Sequence, residues 1–343
     1  MGIIDNKTVS VSASRGFWPV LAALIGNFTI MVMKFMGYLA SGSSVMFSEA
    51  IHSLADTLNQ ALLMIGIKRS IRAADKEFSY GYGHERFIWA LISACGIFFV
   101  GAGATIYKGI SAIIHQREIV TGPFIFYILL ASFIIESVTL FIAYISFRKH
   151  HRHSDIYEAL QNGDPTTIAI LYEDSAAVIG VAIAFLGITL TSYTNSPLWD
   201  AAGSILIGIL LGVIAVILIN KNRSFLIGKA MPEELEDEVI AMLEADPAIE
   251  KVIDFKSAII NVGEYRVKCE VEFNGPALLK EIRKSHDIRE QYETIKDDYE
   301  EFLRFSAEFI DRIPRLMGKR IDDIERKIQR KIPGITHIDI EIN

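Results

Sequence analysis

The sequence predicts a membrane α-helical protein, a bundle of six spanning helices followed by a small α+β domain with a helical insertion. Three observations carry this expectation. Six apolar runs of membrane-spanning length precede residue 220. Beyond them the pattern changes to short amphipathic helices and alternating strands. Finally, 51% of the 343 residues are hydrophobic and mean hydropathy is positive, more apolar than a soluble domain of this size needs.

The chain opens on a short polar tail, residues 1–16, that resembles neither a cleavable signal nor an Arg-rich transit peptide. The first apolar run is Phe17 to Ala40, interrupted by Asn27 and Lys34. Lys34 is far from both ends and is expected either to snorkel or to meet an acidic partner such as Glu136. Ser41 to Ser44 turn the chain into the second run, Val45 to Ile67. Phe87–Ile114, Phe124–Phe147, Ile168–Leu190 and Trp199–Ile219 are the third to sixth. The bundle is expected over residues 17–220 and the α+β domain over 221–343.

Basic residues set the orientation. Lys7 and Arg15 precede the first run, and Lys68, Arg69, Arg72 and Lys76 follow the second. Arg148, Lys149 and Arg152 follow the fourth, and Lys221 and Arg223 the sixth. The opposite connections carry only Arg117 as fixed positive charge, so both termini are expected in the cytoplasm. The formal net charge is −7, and the 21 Lys and Arg against 27 Asp and Glu from Lys221 onward place −6 of it in the C-terminal part. Nothing in this balance favours nucleic acid. The two cysteines, Cys95 and Cys269, make neither a zinc-finger nor a disulfide framework and are expected to be small core residues.

In the C-terminal part, Pro232 to Leu243 reads as an amphipathic helix opened by Pro and early acids. Val252–Ile260 is a predicted strand, and in Val262–Phe273 apolar residues at 265, 267, 269, 271 and 273 alternate with charged ones. A last helix is expected from Gly318, with Ile321, Ile324 and Ile328 inward, and a last strand holds Ile338, Ile340 and Ile342. The segment at about 275–317 reads as an insertion of one or two amphipathic helices.

The chemistry is concentrated in SEAIHSLADTLNQ, Ser48 to Gln60. Glu49, His52 and Asp56 lie in a spanning run, where ionisable groups are expensive unless they serve a function. Their i, i+3, i+7 spacing puts them within about 60° on one helix face. His52 and Asp56 can then converge on one divalent cation; the bland alternative is a buried polar patch bonded to neighbouring helices. The fifth run adds Glu173 and Asp174, which point about 100° apart and cannot both face one site. Ile170 stands where a second His-x-x-x-Asp would need its histidine. The expected metal ligands are His52, Asp56 and Asp174 with an open or water-filled position, while Glu49 and Glu173 are supporting or proton-carrying candidates.

His150, His151 and His153 could gather metal, but three basic neighbours favour a membrane-surface segment. His84 in YGYGHERF is expected to be structural, and His286, His337 and Cys269 form no visible ligand cluster.

SGSSVMFSEAIHSLADTLNQ, YGYGHERF, EDSAAVIGV and SPLWDAAGSILIGILLG together resemble the cation diffusion facilitators, over nearly the whole chain. GDPTTIAILYEDSAA is similar to the branch that includes zinc transporter nine, which shares the missing histidine. The resemblance implies a metal/proton antiporter with a cytoplasmic ferredoxin-like domain, commonly a homodimer. It also implies that two ligands each come from helices two and five, with Ile170 in place of the fourth. The expected activity is export of a divalent cation, foremost Zn2+, from the cytoplasm in exchange for protons. Mn2+, Fe2+ or Co2+ is the alternative cargo; a non-transporting scaffold and a metal-gated channel are the other readings. No enzyme activity and no resident cofactor are expected, and the expected location is the bacterial cytoplasmic (inner) membrane.

Overall fold

Apolar runs too long for a soluble core become six long helical segments in the computed structural model, which describes residues 6–115, 119–150, 165–285 and 288–343. The chain divides into two units, one ending at Leu226 and the other spanning Ile227–Asn343.

The first unit holds α1 (Asn6–Ser41), α2 (Ser44–Ser70), α3 (Glu85–Gly96), a π-helical turn (Ile97–Ala102), α4 (Gly103–His115), α5 (Pro123–His150), α6 (Pro165–Thr194) and α7 (Leu198–Ile227). The third span, expected as one helix, is therefore α3 and α4 joined by a wider π turn. Among the described residues, five helical stretches are long and apolar enough to cross a membrane: 24–41, 85–115, 123–149, 168–194 and 198–227. The sixth span, α2, has 27 residues, about 40 Å at 1.5 Å each, which is ample length. It falls short in apolarity because it carries Glu49, His52, Asp56, Lys68 and Arg69. Its polar Ser44, Ser48, Glu49, His52, Ser53 and Asn59 are nevertheless buried, covered by the bundle.

Large apolar side chains such as Phe99, Tyr107 and Phe141 are instead exposed, an arrangement suited to lipid and costly in water. The bundle core joins Val45 and Met46 of α2 to Ile128 and Leu129 of α5, Val181 and Ile188 of α6, and Ile207 and Leu211 of α7. Helices α4 and α7 approach so closely that a Cβ on Gly109 would stand 2.9 Å from the Ala201 carbonyl oxygen. Such small-residue contacts let helices pack where water supplies no driving force.

The second unit builds a three-stranded sheet from β1 (Ile249–Asn261), β2 (Glu264–Phe273) and β3 (Ile335–Ile342) in that spatial order. β1 and β2 are antiparallel, β2 and β3 parallel. α8 (Glu233–Glu244) precedes the sheet; α9 (Gly275–Ser285), α10 (Ile288–Ile295) and α11 (Tyr299–Lys331) lie between β2 and β3. The alternation in β2 sends Val267, Cys269 and Val271 into a core with Val239 and Leu243 of α8, Ile324 and Ile328 of α11, and Ile335 and Ile340 of β3.

One expectation changes here. No helix begins at Gly318: α11 starts at Tyr299 and runs 33 residues through Pro314 and Gly318. Its start is fixed by Asp298, whose carboxylate accepts from the Glu300 and Glu301 amides at 2.9 and 3.3 Å. The second face of the sheet is charged, with Arg266 on Asp339 at 3.2 Å and Lys268 on Glu341 at 2.8 Å, so it needs no apolar cover.

Burial pushes the Cys269 thiol up to about 12, with the Glu325 carboxylate adding to the effect, so almost no thiolate exists at neutral pH. Cys269 of the folded chain should therefore resist iodoacetamide. Ile328→Ala, at a cost of about 2–5 kcal/mol to this core, should expose Cys269 to labelling at lower denaturant. Pulsed alkylation read by mass spectrometry checks both; fast labelling of the native wild type would refute the packing.

Candidate metal centre

The N-terminus of α2 is where the site begins. Ser43 caps it, its hydroxyl oxygen accepting from the Met46 amide at 3.2 Å. Asp200, fully buried at the start of α7, accepts from the Ser43 hydroxyl and from the Ser44 amide at 2.6 Å. A carboxylate at a helix N-terminus is favourable electrostatically, and here it ties two helices together. One turn on, the Ser48 and Ser204 hydroxyls meet at 2.7 Å, and Ser204 donates to the Thr105 carbonyl at 3.1 Å.

Glu49, His52, Asp56 and Asn59 continue the stripe at helical spacing. The Lys34 ammonium of α1 donates to Glu49 Oε2 at 2.7 Å and to Glu136 Oε1 of α5 at 2.6 Å. Lys34 and Glu49 have no solvent exposure at all, and Glu136 has 7%. The expected Lys34–Glu136 pair thus exists, and Glu49 joins it. Glu49 fits because α6 presents Gly180: a Cβ there would lie 2.7 Å from Glu49 Oε1.

His52 is buried, and its Nε2 stands 3.5 Å from Asp56 Oδ2, too long for a hydrogen bond. Both imidazole nitrogens are buried and without a hydrogen-bond partner among the described residues. Such atoms are costly to leave unmatched, and they suit a metal ion that takes imidazole nitrogen.

On α6, Glu173 and Asp174 separate as their angular spacing requires. Glu173 is buried, and Asn59 Nδ2 donates to both of its carboxylate oxygens at 2.6 Å. Asp174 is half-buried and within electrostatic reach of Asp56. Among the described residues no three His, Cys, Asp or Glu side chains converge closely enough to hold a metal ion. The structure therefore brings His52 and Asp56 together, with Asp174 near but not closed onto them.

Ile170, one turn before Asp174, is 41% exposed. His84 precedes α3 with its ring edge-on to Phe87, 6.2 Å between centroids. His151 and His153 lie outside the described residues.

The partners that sequence reasoning missed are Asp200, Asn59 and the Glu49 arm of the lysine cluster. Each left a trace: Asp200 opens an apolar run, Asn59 lies seven residues after His52 on one face, and Glu49 shares the stripe.

Helices suited to lipid thus enclose buried acids and an imidazole whose two nitrogens are unmatched among the described residues. The model of the cation efflux transmembrane domain matches residues 20–227. Metal tolerance protein C4 of Arabidopsis thaliana is 35% identical over 98% of this chain and 75% of its own length. The human proton-coupled zinc antiporter SLC30A9, mitochondrial, is 34% identical over 98% of this chain, which spans 60% of that relative's length. Manganese efflux system protein MneP of Bacillus subtilis is 25% identical over 81% of this chain and 92% of its own length. The chain belongs to the cation efflux, or cation diffusion facilitator, family, in the branch similar to zinc transporter nine, and is a metal transporter and not an enzyme. These relatives come from a plant, a bacterium and a human mitochondrial protein, and so do not single out the bacterial inner membrane.

Gly180→Ala should push on a Glu49 carboxylate that Lys34 prevents from swinging away. The overpacking should cost about 1–3 kcal/mol and be visible as a lower unfolding temperature in detergent. A variant as stable as wild type would mean that Glu49 is not seated against α6.

Proposed function

We propose that the protein exports a divalent cation, foremost Zn2+, from the cytoplasm in exchange for protons, using His52, Asp56 and Asp174 as ligands. The observation that carries this reading is the His52 imidazole, buried with both nitrogens unmatched and facing Asp56 in a membrane bundle. A transported ion would satisfy it. The cation enters between α2 and α6, and a modest closure of α6 on α2 brings the Asp174 carboxylate to the pair. Release on the opposite side follows as the bundle rocks. Ligands shed protons when metal binds, so binding and proton release are linked at the same atoms, His52 foremost. Glu173, already held by Asn59, fixes α6 against α2 and does not bind metal. Ile170 supplies no donor, so water completes the coordination.

The relatives described as a proton-coupled zinc antiporter support both the zinc and the proton parts of this reading. Manganese is the second reading, favoured by a donor set of one nitrogen and several carboxylate oxygens and by the similarity to a manganese efflux protein. A homodimer whose contacts include the C-terminal domain is part of the proposal by resemblance to the family. A strictly monomeric mass in mild detergent together with full activity would count against it.

Asp56→Ala and His52→Ala, correctly inserted and monodisperse, should each lower zinc affinity and transport by about 10–100-fold or more. Transport at the wild-type rate by either in proteoliposomes would eliminate the site on α2. Ile170→His should instead tighten zinc binding and raise the zinc/manganese transport ratio, because imidazole suits zinc. Unchanged affinity and ratio would mean that position 170 does not face the metal.

A further inference from the structure

The cluster of Lys34, Glu49 and Glu136 is not explained by metal ligation. One ammonium is bracketed by two carboxylates from two other helices, all three deeply buried. With both acids ionised the cluster carries one uncompensated negative charge. An unbalanced buried charge is far more costly than a matched pair. Each carboxylate also keeps one oxygen, Glu49 Oε1 and Glu136 Oε2, buried and without a hydrogen-bond partner among the described residues. The hydroxyl of Ser132, one turn before Glu136 on α5, is likewise buried and unmatched.

We propose that Glu136 holds an exchanged proton of the transport cycle, at a site separate from the metal ligands and built around the fixed charge of Lys34. This rests on the proton-coupled reading above and specifies where one of the protons resides. With no metal bound, a proton on Glu136 neutralises the cluster. Arrival of a dication at His52 and Asp56 supplies positive charge about one to two helical turns along α2 from Glu49, and the proton becomes redundant. The O–H bond of the Glu136 carboxyl then breaks, its electron pair stays on the carboxylate, and the proton passes to water. When the metal leaves, a proton from water restores the acid.

Glu136 suits this role better than the other acids. The groups whose charges bear on it are Lys34 from α1, Glu49, His52 and Asp56 from α2, and Asp174 from α6. Glu49 has no exposure and is seated against Gly180. Both Glu173 oxygens already face the Asn59 amide. Asp56 and Asp174 are assigned to the metal. Glu136 keeps one unmatched oxygen and, at 7% exposure, is the less completely buried of the two acids held by Lys34.

The test compares the full-length wild type with Glu136→Gln, which keeps an acceptor for Lys34 but cannot ionise. Zinc is titrated calorimetrically in buffers of different protonation heat, which gives protons released per zinc bound. Glu136→Gln should bind zinc yet release about one proton fewer than wild type. Infrared difference spectra on zinc addition should show a protonated-carboxyl band disappearing from wild type, absent in Glu136→Gln and moved in Glu136→Asp. Glu136→Asp also keeps the proton count, and its band shift decides the matter if the Gln variant does not fold. An unchanged proton count in Glu136→Gln, or a band that neither variant alters, overturns the assignment while leaving proton coupling intact. Wild type that neither releases nor transports protons with zinc overturns the coupled reading itself.

Discussion

A lysine ammonium with no access to solvent must be surrounded by negative charge, and Lys34 is so surrounded. Its contacts to Glu49 and Glu136 join α1, α2 and α5 in the interior of the bundle. Water does not compete there, so the attraction is strong, and breaking it would strand a charge in low dielectric. This fixes the azimuth of α2. Once Glu49 points at Lys34, helical geometry alone carries His52, Asp56 and Asn59 to neighbouring positions on the stripe. The remaining contacts follow in order: Asp200 caps the start of α2, Gly180 makes room beside it, and Asn59 takes Glu173. The placement of the His52–Asp56 stripe is in this sense a consequence of the charge cluster.

The spans were legible because a run of apolar residues has one physical meaning once it exceeds the bilayer thickness. The pair His52 and Asp56 was legible for a similar reason, since i, i+4 spacing on a helix leaves little freedom. Partners contributed by distant segments were not. Nothing local in SPLWD says that Asp200 reaches the amides of Ser44, 156 residues away. Likewise Asn59 looks like an ordinary polar residue until α6 brings Glu173 to it. Lys34 and Glu136 could be paired from sequence because an isolated charge in an apolar run demands a partner, and few candidates exist. The π turn at Ile97–Ala102 left no trace beyond the glycines around it.

The C-terminal unit shows where pattern reasoning overreached. β2 sends Val267, Cys269 and Val271 to the core, with Tyr265 and Phe273 packed against it. The opposite face is laced by cross-strand ion pairs that hold their charges in water at little energetic consequence either way. A sheet of this kind is complete with helices on one side. The last helix, expected from Gly318, begins instead at Tyr299, because neither Pro314 nor Gly318 interrupts it. In a 33-residue helix with a firm Asp298 cap, a single proline removes one hydrogen bond and the remaining turns carry the helix through.

The position of His52 connects these observations. On α2 it lies between Glu49, committed to Lys34, and Asp56, which has no partner at hydrogen-bonding distance among the described residues. The half of the stripe toward Glu49 is held by ion pairs to Lys34, whereas the half toward Asp56 and Asp174 is more open. A transported cation needs this asymmetry. A fully closed cage of acids would hold a dication too firmly to release it, and a site without a rigid wall would not hold its geometry as the bundle moves. In the proposed site the buried ion pairs would supply the wall, and the unmatched imidazole and half-buried Asp174 the open side for the ion.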